Sequence, residues 1–129
     1  MAVARTMRRD GAPVADDPVI RDRLARSFID VQALKQHART MLAAAARHEQ
    51  PGPEGSFIKL LWSESHQRLL WLAMDVLGPE AAFGPQARAG QRGRWWQREH
   101  LWSAAETILA GTSEIQRNVI GERVLGLPR

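Results

Sequence analysis

The sequence predicts an all-α fold, a bundle of antiparallel helices joined by short turns. Apolar residues recur at spacings of three and four through three long runs, and clusters of proline and glycine separate those runs. No stretch alternates polar and apolar residues as a half-buried strand would.

The first helix is expected to start at Asp16-Asp17-Pro18, where a carboxylate can cap free amides and proline suits the first helical position. Ile20, Leu24, Phe28, Val31, Ala38 and Leu42, with Leu34 beside them, then trace one apolar face that continues through residues 43–46, and Gln50-Pro51-Gly52-Pro53 stops it. The second run, residues 56–77, is apolar nearly all round, which suits a central helix with neighbours on several sides; Gly78-Pro79 ends it and residues 79–94 read as a joint. A third helical stretch begins near Trp95 and reaches about Thr107. Gly111 then relaxes the backbone, Thr112 or Ser113 can cap a new helix, and Ser113 with Gln116 has capping-box spacing. Glu114 sits in that helix's first turn, where negative charge is favoured. Ile115, Val119, Ile120 and Val124 are its expected buried stripe, and Gly126 with Pro128 closes it. The third run is therefore two helices hinged at Ala110-Gly111.

A chain of 129 residues, 44% hydrophobic and 25% charged, has the length and composition of one soluble globular domain. It holds no cysteine, which excludes disulfides, cysteine-ligated zinc and a thiol nucleophile, and no apolar run is long enough for a membrane span or a signal core. A cytoplasmic setting is the expectation. The net charge is +4, and only Lys35 and Lys59 of the eighteen bases are lysine. The excess sits in Arg5, Arg8 and Arg9 at the start and in Arg88, Arg92, Arg94 and Arg98 around Trp95-Trp96. That second cluster could grip phosphates and stack on bases. A solvated connector whose tryptophans close a helical core explains it better, so nucleic acid is not the expected partner.

His37, His48, His66 and His100 have no metal-ligand spacing, and no metal is expected. Glu64-Ser65-His66 cannot converge as a catalytic triad, because adjacent helical residues point about 100° apart. The Gly111-Thr112-Ser113-Glu114 turn is different: a helix start with free amides and two hydroxyls is a ready contact for a phosphate or a polar cofactor edge. An ordinary capped helix start fits the same residues.

The last segment, A-G-T-S-E-I-Q-R-N-V-I-G-E-R-V-L-G-L-P-R from Ala110 to Arg129, resembles the C-terminal signature of acyl-CoA dehydrogenases, whose members commonly end in G-T-S-E-I-Q-R-N-x-I-x-E-R-V-L-G-L-P-R. The likeness extends through residues 16–25, residues 51–64, Gln67-Arg68 and Trp96-Gln97-Arg98, and is strongest with the bacterial branch that degrades lipids and sterol side chains. It implies the C-terminal four-helix domain of an FAD-dependent enzyme that dehydrogenates acyl-CoA thioesters, with the first helix largely missing. On that resemblance residues 1–15 are a tail or a remnant of that helix, and 16–129 are the domain proper. Such domains meet FAD and acyl-CoA against a middle β-domain and build dimers or tetramers, so the implied partners are further copies or a longer acyl-CoA dehydrogenase subunit.

Carried over by position, Gly111, Thr112, Ser113 and Glu114 are the implied FAD contacts. The loop base of the family stands directly before Gly-Thr, where this chain has Ala110, so no catalytic residue is assigned. Glu106, one turn earlier, is the remaining carboxylate and reads more strongly as structural. Where many members have Q-x-L-G-G-x-G near a neighbour's FAD, this chain has Asp75, a retained Gly78, and Pro79. The resemblance thus implies a truncated or partial chain that is inactive alone, or a non-catalytic subunit completing an FAD site on a longer partner.

Overall fold

A computed structural model describes residues 2–49, 52–82 and 90–128. Its helices are α1 (Ala2–Thr6), α2 (Pro18–Ala46), α3 (Glu54–Leu77), α4 (Gly90–Glu106) and α5 (Ser113–Arg123). Between α1 and α2 lies a two-residue hairpin, β1 (Arg8–Arg9) antiparallel to β2 (Ala12–Pro13). The hairpin was not expected from the sequence. Asp10 and Gly11 both take positive φ, 51° and 85°, the backbone that an Asp-Gly pair adopts in a two-residue hairpin turn.

The start of α2 follows the sequence expectation. The Asp17 carboxylate accepts from the amides of Val19 (2.8 Å) and Ile20 (3.3 Å), with Pro18 at the first helical position. The helix ends at Ala46; the expected stop at Gln50-Pro51 lies outside the described residues. Gly78 closes α3 with φ 59°. The helix expected from Trp95 begins earlier, at Gly90, so Arg92 and Arg94 lie on its opening turns, whereas Arg88 and residues 83–89 of the expected joint fall outside the described residues.

α3 is the centre of the bundle, with α2, α4 and α5 each packed on it. It has two buried faces. Leu72 and Val76 join Ala4, Val14 and Ile20 in one core cluster beneath α1 and α2. Leu70 and Ser63, both 0% exposed, lie roughly 160° to 180° round the helix from Leu72. That is the face from which Lys59 and His66 reach the α4–α5 region. Ser63 and Ser103 are buried on α3 and α4, each hydroxyl satisfied by a carbonyl of its own helix. Ion pairs stitch the outside: Asp30 of α2 to Arg68 (3.0 Å), and Glu64 to Arg117 of α5.

Two expected apolar stripes are not buried. On α2, Ile20 is buried and Leu24 half-buried, but Phe28, Val31 and Leu42 stand exposed, Leu42 at 71%. The face that α3 covers is rotated roughly 60° from that stripe, so α3 shields only one margin of it. On α5, Ser113 and Gln116 are the buried residues, Val119 and Ile120 are half-buried, and Ile115 and Val124 face out. α4 goes further. Trp95, Leu101 and Trp102, with Leu109 beyond the helix end, form an outward apolar stripe interrupted by Arg98. Trp95 therefore does not close the core as expected; Trp96 does, lining an apolar cavity of about 250 Å³ with Leu69, Leu72, Ala73 and Val3.

Candidate functional site

The hinge expected between α4 and α5 is present, and its backbone explains why it forms. Ala110 and Gly111 both adopt left-handed φ, 55° and 90°, which breaks the helical ladder and turns both carbonyls away from it. Each is held. The Gln116 side-chain amide donates to the Ala110 carbonyl (2.9 Å), and the Lys59 ammonium donates to the Gly111 carbonyl (2.6 Å). Thr112 is the cap of α5: its hydroxyl oxygen accepts from the Ile115 amide at 3.3 Å. The Ser113–Gln116 capping box does not form, since the Ser113 amide donates to the Thr107 carbonyl (3.1 Å) and Gln116 is committed to Ala110.

These bonds correct one part of the sequence reading. The amides expected to stand free at this helix start are used by the protein itself, Ser113 on Thr107 and Ile115 on Thr112. Ser113 is buried, and its hydroxyl has no partner among the described residues. What the turn offers outward is Glu114, exposed, with Thr112 half-exposed beside it.

The Glu114 carboxyl is held below its ordinary value of 4.5, chiefly because it accepts its own backbone amide and then the Thr112 hydroxyl, with Arg117 and Lys59 adding attraction. A carboxylate depressed in the fold stabilises it above the unfolded value and loses that contribution as pH falls through the folded one. The first turn of α5 is therefore expected to loosen as pH drops below about 4.5. Faster hydrogen exchange at Ile115 and Gln116 reads this out, and Glu114→Gln is expected to flatten the pH dependence.

The turn sits at the end of an apolar surface. Ile108, Leu109 and Ile115 are each more than half exposed around it, as are Leu101 and Trp102 earlier, on α4. Ala110 is exposed and presents a methyl group, with no atom able to take a proton. Glu106 does not point into this surface. It is 7% exposed and bonded to His66 Nδ1 at 2.8 Å, with the His66 ring stacked on Trp62. Its carboxylate is committed to His66 on α3.

The remaining candidates separate in space. Glu64 pairs with Arg117 and, at 4.0 Å, with Arg68, Ser65 accepts from Arg68, and His66 faces Glu106, so the three adjacent residues do not converge on one another. His37 packs edge-on against Phe57, His100 against Trp71, and His48 is exposed. Among the described residues no group of histidine and acidic side chains could hold a metal ion, and no helix is long and apolar enough to cross a membrane. At the second turn, Asp75 is paired with Arg23 while its carbonyl accepts from Arg9 (2.7 Å). An open cleft of about 930 Å³ lies there, bordered by Met74, Gly78, Gln97 and His100. Lys59 was missed by the sequence reading: it lies 52 positions from Gly111, and nothing local marks it.

Comparison with known proteins agrees with this architecture. A family model described as "Acyl-CoA dehydrogenase, C-terminal domain" matches residues 1–125. "Acyl-CoA dehydrogenase IpdE1" of Mycobacterium tuberculosis is 44% identical over 89% of this chain, and its namesake in Mycolicibacterium smegmatis is 45% identical over 95%. This chain spans 28% of the length of each. Among solved structures, a chain of the ChsE4-ChsE5 complex from Mycobacterium tuberculosis superposes with a TM-score of 0.81 at 26% identity, covering 99% of this chain and 32% of that one.

Proposed function

Because the chain belongs to the acyl-CoA dehydrogenase family as a C-terminal helical domain, we propose that it forms one wall of a flavin and acyl-CoA cleft whose other wall lies on a longer polypeptide. One observation carries this reading: Ala110 and Glu114 stand exposed at the two ends of the turn, beside the outward apolar side chains of Ile108, Leu109 and Ile115, which the core of the described residues does not cover.

The side chains at the turn suit some parts of FAD and not others. An exposed carboxylate kept ionised accepts hydrogen bonds, so Glu114 fits ribose or ribityl hydroxyls and ring N–H groups. The same charge would repel the pyrophosphate. Thr112 spends its hydroxyl on the cap and on Glu114, so its part is to orient Glu114. Bound FAD would supply the hydride acceptor for removal of the β-hydrogen of an acyl thioester. Leu109 and Ile108 would keep water from that region. Ala110 can remove no α-proton, so the base must come from elsewhere in the assembly. At the second turn Asp75 is neutralised by Arg23 and Pro79 supplies no amide donor, so we assign no flavin contact there.

The substrate class we propose is lipid or sterol side-chain acyl-CoA, and the partner a longer subunit of the same family. The likeness of 99% of this chain to 32% of one chain of a two-protein complex supports a heteromeric partner over self-association. The chain purified alone with added FAD is expected to be colourless and inactive in a dye-reduction assay with acyl-CoA. Co-expression with a longer acyl-CoA dehydrogenase subunit is expected to restore both colour and turnover. A yellow, active isolated chain would overturn the reading.

A further inference from the structure

We infer that Lys59, on α3, is the positioning residue of the Ala110–Glu114 turn, anchoring its backbone to the central helix from the side away from the exposed surface. The functional meaning rests on the flavin-facing reading above; the anchoring itself does not.

Two consecutive left-handed residues leave two carbonyls outside any ladder, and half-buried carbonyls need partners. Gln116 serves Ala110, but it lies six residues away on the helix that the turn begins, so it moves with the turn. Lys59 serves Gly111 from another helix, across 52 residues of sequence, through a charge-assisted bond of 2.6 Å. It ties the backbone of the turn directly to α3, beside the Ser113–Thr107 bond to the end of α4 and the Glu64–Arg117 ion pair further along α5. The same ammonium lies close enough to attract the Glu114 carboxylate, so one side chain holds the backbone and biases the group offered to a ligand. Lysine at the equivalent distance from a solvent-exposed loop would be one mobile cation among many. Here its stem is half-buried against the bundle, so the head group has few places to go.

The test uses the 129-residue chain itself, labelled for NMR, as wild type, Lys59→Met and Lys59→Arg. In Lys59→Met the amides of Ser113, Ile115 and Gln116 are expected to exchange about tenfold faster, as loss of one hydrogen bond to a charged donor implies. Amides in the first half of α2 are expected to stay at wild-type rates. The Glu114 carboxyl is expected to titrate at higher pH, and Lys59→Arg to restore both readouts in part. Exchange within twofold of wild type in Lys59→Met, equal acceleration in α2, or an arginine variant indistinguishable from methionine would each overturn the assignment. No readout involves flavin, so a chain that never contacts FAD would sink the functional proposal and leave this one standing.

Discussion

Leu70→Ala is expected to lower the stability of the isolated domain by about 3 kcal/mol, the middle of the range for a buried leucine truncation. Leu70 is fully buried and sits on the α3 face opposite the Ala4–Val14–Ile20–Leu72–Val76 cluster. On that face of α3, Ser63 lies two turns from Leu70, and His66, one turn from it, is bonded to Glu106. His66 can turn toward the space left behind only by giving up Glu106, so the cavity is expected to persist. Such a loss is large against the total of roughly 5 to 15 kcal/mol available to a domain. Urea unfolding followed by circular dichroism measures it. A loss below about 1 kcal/mol would show that α4 collapses onto α3 without Leu70.

Gly111→Ala is expected to cost about 2 kcal/mol and to disorder the turn. A left-handed φ of 90° strains any residue with a β-carbon, at roughly 1 to 2 kcal/mol. That carbon would also lie 2.6 Å from the Gln116 amide nitrogen, the atom that bonds the Ala110 carbonyl. Gln116 can move aside only by giving up that bond, at about 1 kcal/mol. The gain from a stiffer unfolded chain offsets less than about 1 kcal/mol of this. The same unfolding measurement, together with loss of the dispersed NMR signals of residues 112–116, checks the prediction. Unchanged signals there would mean that the turn has another conformation within reach.

The sequence made the local chemistry of this fold legible and the remote chemistry much less so. Asp17 and Pro18 act within three residues of themselves, and their helix start forms as the residues imply. The hinge was likewise readable, because Gly111 and Thr112 carry its causes on the spot. The Asp10-Gly11 hairpin carried a readable signal too, and went unseen beneath the helical pattern on either side. Periodicity, by contrast, says which side of a helix is apolar and not what covers it. Phe28, Leu42 and Ile115 were therefore assigned to a core that the described residues do not supply. At the site, the identity of the turn was legible, while its bonding was not. Whether Thr112 or Ser113 caps depends on Thr107 taking the Ser113 amide, and the hold of Lys59 on Gly111 depends on how α3 and α5 meet.

The way the hinge is fastened has a consequence for how such a chain diversifies. Lys59 and Gln116 grip main-chain oxygens, and neither bond depends on the side chain of Ala110, which stands exposed. The position thus has room for an unbranched side chain, although its left-handed φ of 55° disfavours β-branched ones. A lineage can gain or lose a proton-accepting group directly before Gly-Thr while the surrounding architecture stays as it is, so inherited shape and inherited chemistry can part company at a single codon.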